Sequence, residues 1–252
     1  MSDFNRNVAA RPRAGADRAL AIDAGLRAHM IRVYNYMAAA VAVTGVIAWL
    51  TFQMAATTNS AGALVFTPFG QALFGSWMIF VLMLAPLALV FFLSWRIDRL
   101  EAGTARVLFF VYAALLGVSL ATIFMAYTDT SITRVFFISA AAFGALSLWG
   151  YTTQRDLTGM GSFLIMGLFG IIIASLVNLF LKSNVTDFII SVVGVLVFAG
   201  LTAWDTQKIK EMYDPMDDGT VGGRKAVMGA LSLYLDFVNL FLMLLRLVGD
   251  RR

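Results

Sequence analysis

Seven apolar segments set what this chain can fold into: Val33–Ala56, Trp77–Trp95, Val107–Tyr127, Val135–Tyr151, Gly159–Leu181, Phe188–Trp204 and Ala226–Leu245. About 20 apolar residues cross the hydrocarbon core of a bilayer as a helix. Lipid supplies no hydrogen bonds, so only helices and closed barrels satisfy every backbone N–H and C=O there. The pattern therefore predicts an all-α membrane protein with seven transmembrane helices. The sixth segment is short, with 17 residues between Asp187 and Asp205. It reaches span length only if Asp205, Thr206 and Gln207 belong to it. Pro86, inside the second segment, predicts a kink, because proline has no N–H to donate along the helix. Composition agrees: 60% of residues are hydrophobic and 13% charged, against roughly 45–50% and about 25% in a soluble domain.

The same composition excludes several kinds of chemistry. With no Cys there is no disulfide framework, thiolate nucleophile or cysteine metal site. The net charge of +4 does not come from a clustered basic patch, so no nucleic-acid partner is expected. The bases sit at segment ends instead. Fourteen of the 19 Lys and Arg fall on the side of the N-terminus and five on the other. The positive-inside rule then places the N-terminus in the cytoplasm and the C-terminus outside. Residues 1–30 have no apolar signal-like core and hold Asp3, Asp17 and Asp23, so they read as a retained cytoplasmic tail, helical from Asp17 to His29. Residues 31–248 form the seven-helix domain and 249–252 a short C-terminal end. The first outer connection, Thr57–Ser76, is uncharged and suits the membrane interface. Ala140, Ala141, Ala142 and Gly144 in the fourth segment, and Gly161, Gly167 and Gly170 in the fifth, predict close helix contacts.

Asp236 stands out within this frame. It is the only charge in Ala226–Leu245. A carboxylate at that depth costs several kcal/mol unless it is paired, protonated or hydrated, and such residues commonly serve function. Asp205 ends the preceding segment, and Arg96 ends the second on the same predicted side. Simple depth counting leaves the two acids about 10 Å apart at about 1.5 Å per residue. Helix tilt or a longer sixth helix would close that gap. Two adjoining carboxylates in low dielectric do not both ionise cheaply, so a shared proton would make a pH-sensitive latch. Both ionised, they suit a hard cation such as calcium. Ser232 and Asn239 lie on the Asp236 face of the seventh helix and are candidates to hydrogen-bond or hydrate it. The alternative is structural: a buried Asp held by an Arg and polar neighbours that only fixes packing, with Arg96 a snorkelling base.

Other candidates carry less. Asp214, Asp217, Asp218 and Gly219 echo a calcium loop, but Met216 and Lys225 fall where that loop needs ligands. His29, the only His, makes no triad or zinc site alone. The seventh segment has no Lys for a retinal Schiff base. No Gly flanks either Asp, which argues against an intramembrane aspartyl protease, so the chain is read as not an enzyme.

The strings LTAWDTQKIK (Leu201–Lys210) and ALSLYLDFVNLFL (Ala230–Leu242) resemble the Bax inhibitor-1 family in its bacterial branch, also called transmembrane Bax-inhibitor-motif proteins. The resemblance covers about Arg32 to Arg246. It implies six helices packed around a central C-terminal helix, in a bacterial inner membrane. It implies that Asp205 and Asp236 match the family's pH-sensing aspartate pair, that Arg96 matches its latching Arg, and that the chain is a pH-sensitive calcium leak. Calcium would then be a permeant or bound ion, with no cofactor required. Some relatives carry an acid within the second span; Trp77–Trp95 has none. Other bacterial relatives are modulators of a membrane protease, with the tail Met1–Met30 the natural docking element here.

Overall fold

A computed structural model describes the backbone of residues 4–60 and 62–252, and the side chains of residues 22–60 and 62–252. The helices are α1 (Phe4–Ala55), α2 (Pro68–Phe74), α3 (Met78–Arg96), α4 (Ala102–Leu120), α5 (Ile123–Ala126), α6 (Asp129–Thr152), α7 (Thr158–Leu181), α8 (Asn184–Glu211) and α9 (Gly219–Val248). Seven helical stretches among the described residues are long and apolar enough to cross a membrane, with α4 and α5 together forming one of them. The fold is the all-α membrane bundle that the sequence predicts. The only strands among the described residues, β1 (Ala56–Thr58) and β2 (Leu64–Phe66), form a small antiparallel hairpin in the uncharged connection. Its turn is supplied by Asn59 and Gly62, the latter at φ +80°.

Local chemistry fixes the helix ends. Thr128, Ser183 and Asp218 cap α6, α8 and α9, each accepting from backbone N–H groups two or three residues on. The proline in α3 is accommodated between helices. Pro86 cannot donate to the carbonyl of Leu82, and that carbonyl accepts a hydrogen bond from Ser119 Oγ of α4 at 2.6 Å. A freed backbone acceptor is thus satisfied away from lipid.

At the centre lies α9, as the resemblance implied. Of its most apolar 18-residue stretch 61% is buried, against 11–39% in the other six. It packs chiefly on α8, α1, α6 and α4, while α3 mounts on α4 and α7 on α8. The "six around one" arrangement is therefore four helices in direct contact and two in an outer position. Two glycines set close approaches onto α8: a Cβ on Gly150 would collide with the Ala203 backbone, and one on Gly161 with the Trp204 ring. Gly167 meets Val197 across the same interface, but Gly144 and Gly170 face open space and make no such contact. The tail is continuous with the first span, because α1 runs unbroken from Phe4. His29, expected in a solvated tail, is instead buried and packed on Tyr213 with ring centroids 5.7 Å apart. The outermost tail residues, 1–3, lie outside the described residues.

Candidate functional site

The relation of Asp205 to Asp236 follows from the register of α8 on α9. Ile209 packs on Gly229, and Gly194 on Met243. Antiparallel helices in that register place Asp205 opposite Leu233, three residues from Asp236. The depth gap is then about 4.5 Å at about 1.5 Å per residue, within the reach of two side chains. Depth counting overestimated it because α8 does not stop at the apolar boundary. It continues to Glu211, carrying Asp205, Thr206 and Gln207 inside the helix.

The two carboxyls lie close enough for each to act on the other. Asp236 is 5% exposed and Asp205 half-buried. No N–H or O–H of another described group reaches Asp236 Oδ2, although that atom is fully buried. A buried acceptor without a donor is costly. A proton lying between the carboxyls is the arrangement that removes the cost, and a charge-assisted bond of that kind is among the stronger ones.

A cavity of about 370 Å³ leads to the pair from the end of the bundle that holds the α8–α9 connection. Asp205 and Ser232 line it, with Asp98, Lys208, Arg224 and Lys225 around them. Lys208 is the cation whose charge acts on Asp205, and its Nζ lies 5.0 Å from the Trp204 ring centroid. Lys225 is paired with Asp217 at 2.6 Å, and Arg224 donates to the Asp98 carbonyl.

Three expected partners of Asp236 do not reach it. Arg96 is exposed, with its guanidinium 5.7 Å from the Trp95 ring centroid, and it lies outside the cavity walls. As the last residue of α3, it turns along its own helix instead of inward. Asn239 Nδ2 donates to the Leu235 carbonyl at 2.8 Å, the usual way a polar residue satisfies itself in an apolar helix. Ser232 lines the cavity without a hydrogen bond to Asp236. Lys208, one turn beyond Asp205 on α8, occupies the place that sequence reasoning gave to Arg96. Its i,i+3 spacing was the available signal.

Sequence reasoning also missed two hydroxyl networks. Tyr234 is fully buried between Phe109 and Tyr112, edge-on to both, and its hydroxyl meets Thr44 Oγ1 at 2.6 Å. Thr44 Oγ1 also lies 2.9 Å from the Ala113 carbonyl, so α9, α1 and α4 join at one point. A second chain runs from Tyr34 Oη to Ser147 Oγ (2.6 Å) and on to Thr206 Oγ1 (2.8 Å), beside Asp205. Both place hydroxyls within one or two residues of an aspartate.

As a metal site the pair is incomplete. Among the described residues no three His, Asp or Glu side chains converge to hold an ion. Calcium takes about six to eight oxygens, more than two carboxyls supply.

The sequence profile described as "Inhibitor of apoptosis-promoting Bax1" matches residues 26–252. An uncharacterised protein of Rickettsia prowazekii is 48% identical over 230 residues, covering 91% of this chain and 92% of the relative. The inner membrane protein YbhL of Escherichia coli is 46% identical over 232 residues, covering 91% of this chain and 94% of YbhL. A Caulobacter vibrioides protein is 43% identical over the full length of both. With seven spans and an inner-membrane relative aligned over nearly its whole length, the chain is a multi-pass integral protein of the inner membrane. Its central helix, its span count and the profile match from residue 26 to the last residue agree: the chain belongs to the Bax inhibitor-1 family.

Proposed function

We propose that this protein is a pH-sensitive cation leak, with calcium its permeant ion, gated by the contact between Asp205 and Asp236. The observation that carries the reading is the buried Asp236 carboxyl, lacking any N–H or O–H donor, against Asp205 at the head of a cavity. A second cavity of about 390 Å³ approaches from the other end of the bundle, lined by Ser119, Tyr127, Leu242 and Arg246. Along α9, Ser232 and Leu242 bracket the segment that separates the two, about 15 Å long at about 1.5 Å per residue. Asp236 lies within it.

The orientation follows the charge asymmetry: N-terminus and the Asp205 cavity toward the cytoplasm, C-terminus outside. The closed state holds one proton between two carboxyls. Losing it sets two like charges in contact, and gaining a second removes the charge-assisted bond. Conduction is thus lowest at intermediate pH and rises on both sides, more steeply on the alkaline side, where repulsion appears. Lys208, Asp98, Arg224 and Lys225 face the pair across the cavity and set where each limb falls.

The test is calcium flux into liposomes carrying the purified protein. Flux above protein-free vesicles, altered by Asp236→Asn, is the expected result. No flux, together with a membrane protease that copurifies through the tail, would replace this reading with that of a non-transporting modulator.

A further inference from the structure

α1 and α6 both pack on α9, and among the described residues they meet one another through the Tyr34–Ser147 hydrogen bond at 2.6 Å. The gap between them is a fissure on the lipid-facing side, made of three cavities in line. The widest, about 810 Å³, lies at the end with Arg27, Tyr34, Ser147 and Tyr151. It shares Met37, Ala38 and Phe143 with a middle cavity of about 290 Å³. That one shares Val41, Phe136 and Phe237 with a third of about 230 Å³, which ends near Ala48 and Thr133. From Arg27 to Ala48 along α1 is about 31 Å at about 1.5 Å per residue, the depth of a bilayer's hydrocarbon core at about 30 Å.

The walls are graded. Phe136, Phe143 and Phe237 meet edge-on in the middle, giving a dry aromatic floor on the central helix. Basic groups gather at one end only. Arg27 is exposed at the rim. Lys210 Nζ sits 5.4 Å from the Tyr151 ring centroid and donates to the Tyr151 carbonyl. The fissure tapers from about 810 Å³ at the mouth with Arg27 to about 230 Å³ at its far end. A long apolar slot with cations at one mouth fits an acyl chain that ends in a phosphate.

We propose that the α1–α6 fissure is a specific site for one anionic phospholipid, its acyl chain along Phe143, Phe136 and Phe237 and its phosphate at Arg27. The probe is phosphatidylglycerol, with phosphatidylcholine as the neutral competitor. Native mass spectrometry of the full chain, delipidated and given equal amounts of both, counts what is retained. One phosphatidylglycerol per chain, preferred over phosphatidylcholine, is expected. Arg27→Gln should lower that preference about fivefold, the effect of one basic residue at an anionic surface. Arg99→Gln, which makes the same charge change outside the fissure, should leave it unchanged. Gly144→Phe should abolish retention of both lipids, since a Cβ at that position meets only open space and the ring extends into the fissure. Equal retention of the two lipids by the wild type would overturn the proposal. So would a preference that survives Arg27→Gln, or an adduct that survives Gly144→Phe.

Discussion

At the C-terminal end of α9, Arg246, Asp250, Arg251 and Arg252 meet Asp187, Arg134 and Asp129 in four ion pairs whose side chains are 32–68% exposed. Near the middle of the same helix, Asp236 is buried against a second carboxyl without a cation bonded to it. The first region spends its charges where water screens them, and each pair there contributes about 0–1 kcal/mol. The second sets like groups together where screening is weak, an arrangement that packing alone does not reward. The same residue types thus make a clasp at the end of the central helix and a close pair of acids near its middle.

The packing around the buried pair is the easiest part of the comparison to break. Gly150→Val should destabilise the bundle by about 3 kcal/mol, because the new side chain must displace the α8 backbone at Ala203. Thermal unfolding in detergent would measure it. A smaller loss, about 1 kcal/mol, is expected for Tyr234→Phe, which removes the hydroxyl that meets Thr44 and leaves Thr44 only its carbonyl partners. Thr44→Val should cost as much, and the double variant less than the sum. At the clasp, Arg252→Ala removes the 2.7 Å contact to Asp129 and should cost well under about 1 kcal/mol, with the difference vanishing at high salt. If Arg252→Ala proved as damaging as Tyr234→Phe, the contrast between the two regions would fail. The smallest effect belongs to Arg96. Turned onto Trp95, it should leave both stability and the pH profile of flux unchanged when replaced by Gln. A shifted profile would restore it as a latch.

How much of this was legible in sequence differs between the frame and the site. The seven spans could be read because lipid imposes length and hydropathy on each helix separately. Asp236 was legible for the same reason, as a charge where none is cheap. The meeting with Asp205 was not, since it depends on register. That register is set by Gly229 and Gly194 receiving Ile209 and Met243, contacts with no periodic signature. The direction of Arg96 was not legible either: proximity to the membrane boundary says nothing of which way a long side chain turns, here onto Trp95. Gly144 and Ala140 looked like helix-packing residues, yet they border an open fissure, because small residues mark close approach only when a partner is present.

The pH profile of calcium flux into liposomes, measured for the wild type and for Asp236→Asn side by side, tests the central claim most directly. The wild type should show a minimum at intermediate pH and a steep alkaline rise, and Asp236→Asn should flatten both. A wild-type profile that Asp236→Asn reproduces unchanged would contradict the account.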